Sequence, residues 1–331
     1  MRNDKYMNKN NIKIMLRRYP AFFNFIRYVY TLLKYPKRLA KKCNYGKLND
    51  DKKLFVVRPD SEDGIQGLMS LFIQSMRWIE YANKNKYISF VDYKNYKTQY
   101  WDNNNVWEYY FTQPGDMNID DIYKSKNVYI SGVTLKPTVD YRLFSKDVFF
   151  DKELCLYCYN LIFNNINFSE ETKKIIEKEN EKLRVENSIG VYIRGTDYVK
   201  LKPTGEFIQP DIDDVIKKID EFILKYRDTN IFLVTEDYDN YIKLKEKYKN
   251  RLTVVSYDSF VTDYSGENFL SKSNVLCNDR KKRGMDYLVK IVLLSKCKYL
   301  ISSITMGSIA AYCFNGGKYK DSYIFDLGIY K

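Results

Sequence analysis

The residues best suited to chemistry lie in one short stretch, 194–197, which follows the apolar run 189–193. A guanidinium such as that of Arg194 can grip a diphosphate through paired hydrogen bonds and neutralise charge on a departing nucleotide. The chain has no histidine, so any general base must be a carboxylate, a tyrosine or a lysine. We therefore predict that this stretch binds a diphosphate through Arg194.

Two further polar turns are expected at the same edge of a sheet. An acidic turn follows the apolar run 231–234, and a Ser/Thr-rich turn follows the run 299–302. Acidic side chains can hydrogen-bond a ribose or a base, and amides at a helix N-terminus can bind an anion. The alternative for the second turn is simple N-capping by Ser303 or Thr305.

The acidic turn also gives a rival mechanism, because Asp237 and Asp239 form an Asp-x-Asp sequence. Two carboxylates at that spacing can hold manganese on a diphosphate. The spacing is common by chance, and an arginine offers a substitute that needs no metal. We therefore predict no metal site and no cofactor.

Composition sets the size and class of the protein. The chain has 331 residues, of which 45% are hydrophobic, enough to bury a core in each of two domains. The formal charge of +13 accompanies abundant Lys, Asn, Ile and Tyr, which indicates compositional drift, so we predict no nucleic-acid partner. The CxxC of Cys155 and Cys158 has no second pair, so we expect two buried thiols on a helix, in a reducing cytoplasm.

The C-terminal half predicts strands that alternate with helices, and hence a parallel sheet covered on both faces. Ligands of such a Rossmann-like unit bind beyond the carboxyl ends of its strands. The predicted strands are 189–193, 231–234, 252–255, 299–302 and 323–325. The predicted helices are 211–227, 238–249, 284–297 and 306–315.

The N-terminal half is harder to interpret. Strands at 54–57 and 87–91 flank a helical pattern over 64–83, and another strand is expected at 127–131. Residues 94–165 are aromatic with little periodicity and are expected to shape an acceptor cleft. A helix with Ser169 as its N-cap leads into the second domain. The small residues predicted to form an acceptor-side loop are Asp63, Gly64, Gln66 and Gly67.

Residues 1–50 form a basic segment with an aromatic and aliphatic stretch at 19–33, too short to span a bilayer. In one interpretation residues 12–42 lie in a membrane interface, with the cations facing anionic lipid. In the other, the segment is a helix packed on the domain. The side chains expected to insert in the first interpretation are Phe22, Phe23, Phe25, Ile26, Val29 and Tyr30.

The stretch 190–198 resembles the His-x-Arg-Arg-x-Asp signature of the alpha-1,2 and alpha-1,6 fucosyltransferase superfamily. Arg194 and Asp197 match it, whereas Tyr192 stands in place of the histidine and Gly195 in place of the second arginine. The acidic and Ser/Thr-rich turns resemble turns of the same enzymes and follow in the same order. The resemblance implies that all three turns bind a nucleotide-sugar donor. The residues that would bind it are Arg194, Gly195, Thr196, Thr235, Glu236, Asp237, Ser302, Ser303, Thr305 and Ser308. The resemblance covers 188–331 and is weaker around 60–82.

This resemblance implies an α/β protein of the GT-B class, with two Rossmann-like domains facing across a cleft. The domains would be an acceptor-side domain at 51–187 and a nucleotide-sugar-binding domain at 188–331. The implied activity is inverting, metal-independent glycosyl transfer, with fucose from GDP-fucose as the first donor to consider. Such a reaction needs a cationic clamp on the diphosphate and a general base. Arg194 would be the clamp, and Asp197 and Glu206 are the candidate bases. Asp197 has a second interpretation, in which it orients Arg194 or caps the turn. The acceptor would be an oligosaccharide or a lipid-linked glycan in surface-polysaccharide biosynthesis, at the inner face of the membrane.

Three alternatives stay open. One is a metal-dependent glycosyltransferase that uses another nucleotide sugar. A noncatalytic carbohydrate- or nucleotide-binding module is the second, because the signature's histidine and second arginine are missing. The third is a basic protein that binds nucleic acid or membrane.

Overall fold

The structure, a computed structural model, describes residues 20–60, 66–136, 138–256, 260–262, 264, 270 and 279–331. The strands in these ranges are β1 (Lys41–Cys43), β2 (Leu54–Val57), β3 (Ile88–Val91), β4 (Val128–Ile130), β5 (Ser188–Tyr192), β6 (Asn230–Val234), β7 (Leu252–Thr253), β8 (Tyr299–Ser303) and β9 (Asp321–Phe325). The helices are α1 (Pro20–Lys34), α2 (Leu68–Lys84), α3 (Trp107–Tyr110), α4 (Ile119–Ile122), α5 (Lys152–Phe163), α6 (Glu170–Leu183), α7 (Thr196–Leu201), α8 (Ile212–Lys225), α9 (Tyr238–Tyr248), α10 (Arg280–Lys296) and α11 (Met306–Asn315).

Strands β5 to β9 form the C-terminal sheet, in which every pair is parallel and the order is β7-β6-β5-β8-β9. The first strand of the unit, β5, therefore lies in the middle. Strands β6 and β7 are added on one side of it and β8 and β9 on the other, so the strand order reverses between β5 and β8. This is the strand order of a Rossmann-like unit, and the crevice beside such a reversal is where ligands bind. The predicted parallel sheet is confirmed, although β7 ends two residues earlier than predicted.

Strands β1 to β4 form the N-terminal sheet, in the order β1-β4-β2-β3. Strands β2, β3 and β4 are parallel, and β1 is antiparallel to β4. The basic segment thus contributes its residues 41–43 to this sheet. With two parallel-rich sheets and helices packed on both, the predicted α/β class is confirmed.

A shared core joins the two sheets through α10 and α11, which pack against α2, α5 and α6. The ring of Phe72 on α2 lies 5.3 Å from that of Phe314 on α11, between ring centroids. Cys155 and Cys158 are fully buried on α5, which confirms the predicted buried thiols. These contacts hold helices of the N-terminal half against α10, where the two halves of the molecule meet.

Helices α2 and α10 each begin four residues away from the predicted start. Helix α2 begins at Leu68, with Gly67 as its N-cap, because the amide of Leu68 donates to the hydroxyl of Tyr100 at 3.1 Å. Helix α10 begins at Arg280 because Asp279 caps it and accepts from the amide of residue 282 at 2.9 Å. In the described ranges, no helix has the length and apolar character required to cross a membrane.

Candidate functional site

The candidate site lies where β5, β6 and β8 end side by side. Arg194 follows β5, Glu236 follows β6, and the turn 304–305 joins β8 to α11. Because the strands are parallel, all three ends meet at one edge, next to the reversal between β5 and β8. The sequence predicted this meeting of the three polar turns.

Arg194 is held by two carboxylates. Its Nε donates to Oε1 of Glu236 at 3.0 Å, and its Nη2 donates to Oδ1 of Asp197 at 2.7 Å. Burial disfavours the charged guanidinium, but Glu236 and Asp197 outweigh that effect and raise the pKa of Arg194 above its ordinary value. The Nη1 group makes no hydrogen bond to any residue that the structure describes. With its side chain 22% exposed, Arg194 is oriented by protein on one side and open to a ligand on the other.

Asp197 is engaged through both of its oxygens. Oδ1 binds Arg194, and Oδ2 accepts from the amide of Leu270 at 3.1 Å. Its side chain is only 4% exposed, so it has little access to an acceptor hydroxyl. These contacts favour the positioning role over the role of general base.

Gly195 and Thr196 are fixed by the acidic turn. Oε1 of Glu236 accepts from the amide of Gly195 and the hydroxyl of Thr196, each at 3.1 Å, and Asp237 accepts from the amide of Thr196 at 3.0 Å. A Cβ atom at position 195 would lie 2.3 Å from Oδ2 of Asp237, so an arginine does not fit there. Thr196 has φ of 38°, a left-handed conformation that costs a non-glycine residue about 1–3 kcal/mol. The turn is therefore built to hold Arg194 rather than to supply a second cation.

Asp237 is used as a structural residue. Its Oδ1 caps α9 by accepting from the amide of Asn240 at 2.9 Å, and its Oδ2 binds the amide of Thr196. The amide of Asp237 in turn donates to the hydroxyl of Thr235 at 3.2 Å. Asp239 is exposed on the first turn of α9. The part of the chain that the structure describes holds no group of three or more Cys, Asp or Glu suited to a metal ion.

The Ser/Thr-rich turn is an N-cap, as the capping interpretation predicted for Thr305. Thr305 and Ser308 form a capping box at the start of α11. Ser302 donates to its neighbouring carbonyl at 2.8 Å, and Ser303 donates to Oε1 of Gln209 at 2.6 Å. All four hydroxyls form hydrogen bonds within the protein. A ligand at this turn would therefore bind backbone amides at the positive end of α11.

Tyr198 contacts both Arg194 and Glu206. Cζ of Arg194 is 4.4 Å from the ring centroid of Tyr198, whose hydroxyl donates to Oε2 of Glu206 at 3.4 Å. Burial raises the pKa of Glu206 above its ordinary value, although the Tyr198 hydrogen bond and the Arg194 charge lower it. A carboxylate with a raised pKa beside a cationic site has the character of a general base.

The loop that carries Glu206 is anchored. The amides of Gly205 and Ile208 donate to the carbonyls of Tyr330 and Gly328, at 2.9 and 3.0 Å, and that of Tyr330 returns a bond to the carbonyl of Glu206. The connection 200–210 has the length expected of a lid. Its second half is instead paired with the C-terminal segment, which fixes the position of Glu206.

Three tyrosines complete the site, and the sequence did not predict them. The hydroxyls of Tyr192 and Tyr287 lie 3.1 Å apart, and a Cβ atom at Gly307 would fall within 2.8 Å of both side chains. Tyr100 lies on the N-terminal side, with its hydroxyl on the first turn of α2. Tyrosine is so frequent in this chain that no spacing singled these three out.

The predicted acceptor-side loop is described only in part. Gln66 and Gly67 precede α2, and the carbonyl of Gln66 accepts from Nε2 of Gln99 at 2.6 Å. Asp63 and Gly64 lie outside the described residues.

No protein-family model and no curated protein sequence matches the chain. Several solved structures are similar to it in fold. NodZ alpha-1,6-fucosyltransferase soaked with GDP-fucose is 15% identical over 80% of this chain and 93% of that chain, with a TM-score of 0.46. Fucosyltransferase NodZ from Bradyrhizobium is 15% identical over 78% and 92%, with a TM-score of 0.46. A mutant of Arabidopsis thaliana FUT1 in complex with GDP is 11% identical over 83% and 71%, with a TM-score of 0.47. At these identities and TM-scores, the activity has to be argued from the site's own residues.

Proposed function

We propose that the protein is an inverting, metal-independent glycosyltransferase that uses a nucleotide-sugar donor. One observation carries this proposal: two carboxylates hold Arg194 at the carboxyl end of β5, beside the strand reversal, with one face of its guanidinium left for a ligand. A guanidinium oriented in this way suits a diphosphate. The neighbouring N-terminus of α11 adds backbone amides and a positive dipole end for the same anion.

The reaction would need only the groups present. An acceptor hydroxyl attacks the anomeric carbon of the sugar, and a new C–O bond forms while the bond from that carbon to the diphosphate oxygen breaks. The electron pair of the broken bond leaves with the nucleoside diphosphate, whose growing charge Arg194 neutralises. The hydroxyl proton passes to Glu206, the candidate base that is not locked in an ion pair.

Metal independence is the simpler interpretation of the acidic turn. Both oxygens of Asp237 already accept hydrogen bonds from backbone amides, one of them to cap α9. Binding a metal through Asp237 would break these contacts and release the turn that holds Arg194. The Asp-x-Asp mechanism therefore has less support than the arginine clamp.

The finer identity of the substrates comes from the sequence resemblance. The match of Arg194 and Asp197 to the fucosyltransferase signature makes GDP-fucose the first donor to test. A glycan of a surface polysaccharide, oligosaccharide or lipid-linked, is the acceptor that we propose. A noncatalytic binding module is less well supported, because Glu206 retains the environment of a base.

The outer face of α1 supports a location at the cytoplasmic face of a membrane. This helix presents polar residues to the protein, where Thr31 is buried and Arg27 donates to the hydroxyl of Tyr141 at 3.3 Å. Residues 20–49 include seven Lys or Arg and no Asp or Glu. An exposed apolar stripe among cations is typical of a helix that binds anionic lipid. The exposed side chains of the stripe are Phe22, Phe25, Ile26, Tyr30 and Leu33.

The test is a thermal-shift panel of GDP, UDP, ADP, CMP and GDP-fucose, each with EDTA and with manganese, followed by donor turnover. A ligand that binds the folded state raises its melting temperature. Stabilisation by a nucleoside diphosphate in EDTA, with release of that nucleotide from its sugar, is the expected result. A shift that requires manganese would support the Asp-x-Asp mechanism. No shift with any nucleotide would overturn the proposal.

A further inference from the structure

The first turn of α10 carries an unusual concentration of positive charge. Residues 280–283 are Arg-Lys-Lys-Arg, and this turn contains no acidic residue. Cations at a helix N-terminus oppose the helix dipole, so four in succession are unfavourable unless something compensates them. Lys281 pairs with Glu171 and Lys282 pairs with Asp286, whereas Arg283 forms no ion pair with any described carboxylate.

Arg283 is instead held by neutral groups of the N-terminal half. Its Nη2 donates to Oε1 of Gln99 at 3.1 Å, and its Cζ lies 5.4 Å from the ring centroid of Tyr100. Among the residues that the structure describes, neither its buried Nε nor the buried Oε1 of Gln66 has a hydrogen-bond partner. Two such buried polar atoms in one cluster are costly, and a polar ligand would satisfy them.

The position of Arg283 is fixed by the residue that follows it. A Cβ atom at Gly284 would lie 2.1 Å from the hydroxyl of Tyr110, which donates to the carbonyl of Lys281 at 3.2 Å. Only a glycine allows this approach of the N-terminal half to α10. The packing places Arg283 against Tyr100.

Contacts of α10 connect Arg283 to the strand end that carries Arg194. Tyr287 lies one helical turn beyond Arg283, and its hydroxyl is 3.1 Å from that of Tyr192, the last residue of β5. Arg194 follows this residue by two positions. Burial raises the pKa of Tyr100, and the charges of Arg283 and Arg194 oppose this rise, which agrees with the placement.

We propose that Arg283 is a second anion-binding residue of the donor site, which contacts the donor phosphate distal to the nucleoside. That phosphate carries the sugar and faces the acceptor side, where Gln99 and Tyr100 hold Arg283. The overlap of any Cβ at position 195 with Asp237 explains why a second cation comes from α10 and not from β5. This inference rests on the proposed nucleotide-sugar function.

The test is isothermal titration of the full chain with GDP and with GMP, using wild type, Arg283→Ala, Arg283→Gln and the matched control Arg280→Ala. Arg280 is exposed on the same helical turn and donates to the carbonyl of Trp101. Loss of a charged hydrogen bond predicts GDP binding weakened about ten- to a hundredfold in both Arg283 variants. GMP binding by these variants and GDP binding by the control stay close to wild type.

The outcomes distinguish a failure of the role proposed for Arg283 from a failure of the proposed nucleotide-sugar function. GDP affinity unchanged in Arg283→Gln, while wild type binds GDP, overturns the role of Arg283 and leaves the donor site standing. An equal loss for GDP and GMP overturns the assignment to the distal phosphate. If wild type binds no nucleoside diphosphate, the proposed function fails and the role of Arg283 fails with it.

Discussion

Glu206 provides the most specific prediction about the chemistry. Replacing it with Gln keeps the size of the side chain and its contact with Tyr198, but removes the proton acceptor. A positioned general base contributes about a hundred- to ten-thousandfold to rate, so kcat should fall at least about a hundredfold. Donor affinity should stay within about threefold of wild type, because neither of the two carboxylates that bind Arg194 is Glu206.

The dependence of kcat/KM on pH provides a second test of Glu206 as the base. A base works when deprotonated, so kcat/KM of wild type should fall as the pH drops through the pKa of Glu206, which burial raises above its ordinary value. The acid limb should therefore lie at a higher pH than that of an ordinary glutamate, and it should disappear in Glu206→Gln.

Initial rates of nucleoside-diphosphate release, measured from about pH 5 to pH 9, would show both effects. The matched control is Glu221→Gln, an exposed residue of α8 that pairs with Lys218. A wild-type acid limb in Glu206→Gln, or a loss of less than about tenfold, would refute the assignment of the base.

Two further predictions concern the turn and the N-terminal helix. Gly195→Ala would place its Cβ 2.3 Å from Oδ2 of Asp237. This overlap should lower the free energy of unfolding, measured by urea titration, by about 1–3 kcal/mol. An unchanged midpoint of urea unfolding would contradict the close packing of this turn. Phe22→Ser with Leu33→Ser should reduce binding to anionic vesicles more than Phe150→Ser, which removes an exposed aromatic elsewhere, because α1 presents the apolar stripe. Equal vesicle binding by wild type, the Phe22→Ser/Leu33→Ser double variant and Phe150→Ser would contradict the membrane-surface proposal.

The sequence predicted those parts of the structure that depend on local pattern. Alternation of apolar runs with amphipathic helices predicted the C-terminal sheet, and Ser169 was correctly predicted as the N-cap of α6. Arg194 was located because a polar residue after a buried parallel strand must lie at the ligand edge of the sheet. Periodicity and strand polarity are properties of short segments, so one sequence is enough to reveal them.

The parts that could not be predicted depend on contacts between distant residues. Whether Asp237 binds a ligand or caps α9 is decided by the amides of Thr196 and Asn240, one of which lies 41 residues away. Gln99 contacts Arg283 across 184 residues, from a segment with little periodicity. The sequence shows the residue types at these positions, but only the packed chain shows which atoms each one uses.

The central claim is that Arg194 binds the donor diphosphate. Its most direct test is the affinity for GDP of wild type, Arg194→Ala and Arg194→Lys, with the exposed Arg251→Ala as control and melting temperatures to verify folding. A lysine keeps the charge but cannot bridge two carboxylates and a ligand with one planar group. Both Arg194 variants should therefore bind GDP at least about tenfold more weakly than wild type, while Arg251→Ala binds it equally well. Wild-type GDP affinity in a folded Arg194→Ala protein would contradict the account.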